Sequence, residues 1–257
     1  MVWKVVHIDM RKKRRKIVVS VILTVAAIAA AITVFCAARG ERMPRLEING
    51  AVVGREEYLQ AVKDVRYDVS IYFGSTYGAR EDDGFWTEEY GGEIPYRKLA
   101  DEALERLKYL HAVYTLAEEK GYINDAGYNA IVERMEAENA ERKEKIENGE
   151  PVYGLAEYSL DVFIEYETSS FKERYCSDIE NEGMKLTEEE IVEHYQSREW
   201  IFGENDENAD LETARVAVER ELREKKYDEM IAQRESDSQV KVDGEELYSF
   251  TLMNITQ

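Results

Sequence analysis

Residues 17–38, IVVSVILTVAAIAAAITVFCAA, run for twenty-two positions without a charge, with Ser20, Thr24 and Thr33 as the only hydroxyls. At about 1.5 Å per residue a helix of this length reaches about 33 Å, enough to cross a hydrocarbon core of about 30 Å. Inside lipid each backbone N–H and C=O must be satisfied within the segment, which requires a helix. Buried helices of soluble proteins are usually shorter and carry a polar stripe. The basic run Arg11-Lys12-Lys13-Arg14-Arg15-Lys16 precedes the segment. By the positive-inside rule, residues 1–16 are then a cytoplasmic tail, 17–38 a single transmembrane helix, 39–45 a linker, and 46–257 an extracytoplasmic domain. A cleavable secretory signal has an apolar region of about 7–15 residues, so the length favours a retained anchor. Cys36 follows Thr33-Val34-Phe35, and bulky Phe35 stands where a lipid-attachment motif wants a small residue, so Cys36 reads as a lipid-facing hydrophobe.

Charge bounds the outer part. The first 39 residues hold eight Lys/Arg against one Asp, so a chain of net −20 leaves −27 beyond them. Such a surface repels nucleic acid, and topology accounts for the basic run beside the membrane. Three prolines, and long stretches rich in Glu, Lys, Ala and Leu, indicate mostly helix. Of the two cysteines, Cys36 lies at membrane depth, so no disulfide to Cys176 is expected.

LEINGAVV alternates around Asn49-Gly50 and predicts a small hairpin. Tyr58, Val62, Val65, Val69, Tyr72 and Phe73 then form a helical stripe, and the glycine-rich segment 74–92 is a loop. Leu99, Ala103, Leu107, Leu110, Tyr114 and Ala117 mark a second helix over 96–120, capped by Gly121 and central to the core. A third helix starts near Asp125, with a polar second half that either projects into water or folds back. A fourth, over 154–176, presents Leu155, Tyr158, Val162, Phe163, Tyr166, Phe171 and Tyr175. Thr187-Glu188-Glu189-Glu190 is a capping box for a short fifth helix. A last helix spans 211–234, and Val240, Val242, an Asp243-Gly244 turn and Leu247 to Leu252 predict a closing hairpin or strand pair.

This order of parts resembles the SurA/PrsA-type extracytoplasmic foldases. LEINGAVVGREEYL is similar to their opening strand-turn-helix, and YRKLADEALERLKYLHAVYTLAEEKGY to their second signature helix. KLTEEEIVEHYQS resembles the short helix before their isomerase module, and ETARVAVERELREKKYDEMIAQRESDSQVKVD the long helix that returns to complete the lobe. The resemblance covers roughly half of the outer region. It implies a mainly α architecture, in which a single transmembrane helix is followed by a helical SurA N-terminal-like (trigger-factor/SurA-like) chaperone lobe. A small β element would be formed by the segments at the two ends of that lobe.

One departure bears on activity. Relatives with isomerase activity place a whole parvulin domain where this chain has only EWIFGENDENAD, and twelve residues cannot hold such a site. His7, His111 and His194 have no partners at metal-ligand or triad spacing, and no nucleophile-elbow, zinc-protease, phosphate-loop or dinucleotide motif occurs. No catalytic residue, metal or cofactor is therefore expected.

What the resemblance implies is binding of unfolded or partly folded exported polypeptides at a bacterial cell membrane, with the lipid bilayer engaged through residues 17–38. The contact surface would be an aromatic-lined groove, to which seventeen tyrosines are suited. Peptide-binding candidates are Tyr67, Tyr72, Tyr77, Phe85, Trp86 and Tyr90 around the glycine-rich loop, with Tyr153, Tyr158 and Phe163 beyond. Core filling competes with contact for Tyr72, Tyr158 and Phe163, and equally for Phe85 and Trp86. The acidic charge favours basic clients. Two alternatives are a peptidyl-prolyl isomerase by family, and a non-catalytic docking subunit of a secretion, cell-wall or sporulation complex.

Overall fold

The computed structural model describes residues 42–202 and 208–255. The transmembrane helix expected at 17–38, the basic tail and Cys36 lie outside the described residues. Among the described residues, no helix is long and apolar enough to cross a membrane. They fall into two compact units, Leu46–Lys241 and a second to which the chain from Val242 belongs.

The larger unit opens with β1 (Leu46–Ile48) and β2 (Ala51–Val53), antiparallel with Leu46 opposite Val53. Asn49 at φ 52° and Gly50 at φ 85° make the two-residue turn, the backbone that Asn-Gly adopts most readily. Five helices follow: α1 (Arg55–Tyr77), α2 (Pro95–Glu119), α3 (Tyr128–Glu147), α4 (Leu160–Ser177) and α5 (Glu188–Gln196). The long helix α6 (Leu211–Ser236) then returns to β3 (Val240–Lys241), which pairs antiparallel with β1 and completes a sheet ordered β2-β1-β3. The small β element at the two ends of the lobe is thus present.

Helix α2 is the centre of the lobe, packed against α1, α4 and α6. All six residues of its predicted stripe are buried, and Ala100, Ala112, Val113 and Leu116 are buried as well because neighbours flank it on more than one side. Pro95 starts the helix, and Gly121, at φ 68°, ends it as expected. The main core joins Val113, Tyr114 and Leu116 of α2 to Ile131 of α3, Ile164, Phe171 and Tyr175 of α4, and Tyr227 and Ile231 of α6. A smaller cluster of Ile191, Trp200, Ala214 and Val218 seats α5 on α6. The Thr187 capping box forms: the hydroxyl accepts from Glu190 N at 3.2 Å, and the Glu190 carboxylate accepts from Thr187 N at 2.8 Å.

A charged pair crosses the core. Arg134 of α3 donates through Nε and Nη2 to Glu167 of α4 at 2.7 and 3.0 Å, and the Tyr114 hydroxyl of α2 donates to the same carboxylate at 3.0 Å. Glu167 is buried, and these contacts fix the mutual positions of three helices.

Four expectations are corrected. Helix α1 continues through Tyr77, so the glycine-rich loop begins at Gly78 and not at 74. The fourth helix starts at Leu160, not 154, because Gly154 takes φ 83° and the Tyr153 and Leu155 carbonyls are bonded by Arg142. Its inward face is Phe163, Ile164, Glu167, Thr168, Phe171 and Tyr175, whereas Val162 and Tyr166 point to solvent. The terminal hairpin is replaced beyond β3 by helix α7 (Gly244–Ile255) in the second unit. Asp243 caps it by accepting from Glu246 N at 3.0 Å, and Leu247, Phe250 and Thr251 are buried at helical spacing.

Candidate functional site

The glycine-rich loop packs its aromatic side chains instead of presenting them. α1 ends at Gly78 (φ 69°), and the chain folds back so that Phe85 meets the Phe73 ring edge-on at 6.0 Å and Trp86 meets Phe85 at 4.9 Å. Phe85 and Trp86 are 1% and 7% exposed, and the Arg66 guanidinium lies 4.9 Å from the Trp86 ring centre. Tyr72 and Tyr77 both donate to the Glu93 carboxylate, at 2.7 and 2.8 Å. Those two hydrogen bonds hold Glu93 below the usual carboxylate range, and the bond to Glu93 pushes the Tyr77 phenol up to about 12. Tyr90 closes the loop through a bridge to Glu93 and packs against Phe73 at 5.6 Å. Gly91, at φ 62°, lets the Tyr77 ring approach; a Cβ there would sit 2.6 Å from Tyr77 Cε1. Of the candidates around this loop, only Tyr67, 72% exposed on the outer side of α1, and the partly exposed Tyr77 reach water well.

The remaining candidates meet at the elbow between α3 and α4. Phe163 is buried, and Tyr158 is half-buried between the Arg142 guanidinium, 4.3 Å from its ring centre, and the Tyr166 ring, stacked at 5.4 Å. Arg142 Nη1 donates to the carbonyls of Tyr153 and Leu155 at 3.0 and 2.7 Å, and Nη2 donates to the Tyr158 hydroxyl at 2.9 Å. Asn139 and the Tyr158 backbone exchange two further bonds, at 2.9 and 2.7 Å. The polar half of α3 therefore folds back on segment 153–158. This anchorage holds Tyr153, 86% exposed, together with Leu155, Val162, Tyr166 and Ile146 at the surface. Exposed apolar side chains carried on well-bonded backbone are candidates for an interaction surface.

Beside the elbow runs an open groove of about 490 Å³ between α1, α2 and α4, with Val65 and Val162 on its walls. Arg106 at its floor lies between Glu165, 2.5 Å away, and Asp64, 3.6 Å away. Burial raises the Asp64 carboxyl, against the opposing pull of the Gln60 hydrogen bond and the Arg106 charge. A second depression of about 550 Å³ lies between Asn139, Lys143 and Ile146 of α3 and Ala156 of the elbow. Concave surfaces of this size with apolar walls and polar floors suit extended or helical peptide. Neither lining contains Ser, Thr, Cys or His.

Elsewhere, Ser169, Cys176 and Ser177 line a third open depression of about 560 Å³ between α4 and α6. His111 Nε2 is 2.8 Å from Glu57 Oε1, tying α2 to α1, and His194 lies edge-on to Trp200 at 5.8 Å. Burial pushes the Cys176 thiol up to about 11. Among the described residues, no three His, Cys, Asp or Glu side chains are grouped to hold a metal ion.

Over 212 residues, 82% of this chain and 76% of the relative, the sequence is 32% identical to a protein named chaperone for lacto-N-biosidase from Bifidobacterium longum subsp. longum. The chain belongs to the family of that chaperone. No family model matches the chain, and no solved structure matches it.

In this chaperone-family member the sequence reading missed Val162, Tyr166, Leu155 and Ile146 as surface residues, and Asp64, Arg106 and Glu165 as groove residues. A signal for the first pair was present. Val162 and Tyr166 are four apart and out of phase with the Phe163-Thr168-Phe171 stripe that α4 buries. The groove carried none, since its charged residues come from three helices and meet only on folding.

Proposed function

We propose that this protein is a chaperone that holds non-native segments of an exported client polypeptide at the outer face of a membrane, without catalysing a reaction. The observation that carries the reading is the anchored apolar elbow of Tyr153, Leu155, Val162 and Tyr166 beside an open groove. Membership of a family that includes a named chaperone supports the activity. The order of the opening hairpin, the central helix, the capped α5 and the returning α6 is the order that carries the SurA/PrsA resemblance, and it supports a peptide-binding lobe. The apolar run at 17–38 supports attachment to the bilayer. The relative is named for a single enzyme, which supports one dedicated client, a lacto-N-biosidase-like glycosidase exported by the same cell.

The test is refolding of a denatured lacto-N-biosidase in the presence of the full-length chain. Recovered glycosidase activity should rise with a stoichiometric amount of chain, and Tyr153→Ser combined with Leu155→Ser should abolish most of the gain. Unchanged recovery with the intact chain refutes the reading. Equal recovery with the double variant refutes the assignment of the elbow.

A further inference from the structure

We propose that Asn139 and Arg142 of α3 form a binding site for polypeptide main chain, occupied by the chain's own segment 151–158 until a non-native client segment displaces it; this rests on the chaperone reading above. The segment is fixed at both ends, where Glu150 N donates to the Lys145 carbonyl at 2.8 Å and Phe163 N to the Ser159 carbonyl at 2.9 Å. Between those ends it is neither helix nor strand, and among the described residues its backbone bonds to no other backbone. Two side chains hold it instead. Arg142 Nη1 donates to the carbonyls of Tyr153 and Leu155, and the Asn139 amide accepts from the N–H of Tyr158 and donates to its C=O. These bonds engage groups that every residue but proline carries in full, so another segment can make them in place of this one.

The segment is a strap with little else to hold it. Residues 153–157 are all exposed, and an open depression of about 550 Å³ lies between Ala156 and the α3 residues Asn139, Ala140 and Ile146. A stretch with so few buried contacts opens locally at low cost. Arg142 is built in by contrast: its side chain is 11% exposed, and Nε donates to Glu138 at 2.8 Å, so the guanidinium stays aimed when Nη1 and Nη2 lose the strap. A folded client has its own carbonyls and amides paired, and only a non-native segment offers them bare. Such a segment enters the depression and takes over the bonds of the strap at Arg142 and Asn139. Tyr153 and Leu155 move outward with the strap and cover the client's apolar side chains. What is selected is unpaired main chain.

The experiment compares two ways of loosening the strap in the full-length chain, held in an uncharged detergent. Gly154 lies at φ 83°, and a Cβ there meets nothing within 4 Å, so Gly154→Ala disfavours the seated strap through backbone strain alone and leaves α3 untouched. Asn139→Ala with Arg142→Ala frees the strap and removes the site as well. Hydrogen exchange over 151–158 should quicken in both variants while that of α2 stays as in the intact chain. The binding probe is a labelled polypeptide kept unfolded by reduction and carbamidomethylation. Gly154→Ala should bind it about tenfold more tightly than the intact chain, and the double variant about tenfold more weakly. Affinity in Gly154→Ala equal to or below that of the intact chain overturns the strap, as does undiminished binding by the double variant or unchanged exchange over 151–158; each leaves a chaperone. Failure of the intact chain to bind the probe overturns the chaperone reading and this inference together.

Discussion

A carboxylate at position 167 occupies a place where helical periodicity reserves an apolar side chain. It is tolerated because Arg134 meets it with two nitrogens and Tyr114 with a hydroxyl, so its buried oxygens are bonded. Removing one member strands the others in a dry core. Glu167→Ala is expected to lower unfolding free energy by about 3–5 kcal/mol in urea titration, the range for an uncompensated buried charge. Glu167→Gln, which keeps an acceptor for Tyr114, should cost less. Residue-level reading of α4 failed here for a physical reason. A buried Glu and an exposed Tyr invert the usual equation of hydrophobicity with burial, and only partners from α2 and α3 restore it.

Elements were more legible than their termini. The six-residue stripe of α2, its Gly121 end, the Asn49-Gly50 hairpin and the Thr187 capping box all follow from local rules, because each depends on residues within a few positions of one another. The 74–92 segment was legible as a loop only beyond Tyr77, and its rigidity was hidden because Glu93 acts on tyrosines sixteen and twenty-one residues earlier. That carboxylate makes the loop pH-dependent. Its folded value lies below the ordinary 4.5, so its contribution is fully present above that value and is lost as the pH falls through the folded value. Titration from about pH 6 to about pH 3, followed by Trp86 fluorescence in a chain whose other tryptophans are replaced by Phe, should show the loop loosening in that lower window. Glu93→Gln should remove the step and leave the cap of α5 unaffected; an unchanged step would show that another carboxylate governs the loop.

At the scale of the molecule, the sheet joins positions about 190 residues apart. Asn49 N donates to the Gln239 carbonyl at 2.9 Å, while its side chain accepts from Gln239 N at 2.8 Å and donates to the Ser238 hydroxyl at 3.3 Å. Asn49→Ala loses the side-chain bonds and also strains a position at φ 52°, so a loss of about 1–3 kcal/mol is expected. Asn49→Gly relieves the strain alone and should recover part of it, with hydrogen exchange at Val240 and Lys241 fastest in the Ala variant. The sequence indicated strands at both ends of the lobe but mistook α7 for one of them, because six residues of mixed pattern do not distinguish periods of two and 3.6 without the Asp243 cap in view.

The β1–β3 pairing also sets the order of events as the polypeptide is made. Synthesis delivers β1 about 190 residues before its partner, so one flank of that strand stays without a mate until residue 241 has emerged. Throughout that interval the strand keeps an unpaired edge, the kind of surface on which wrong pairings begin.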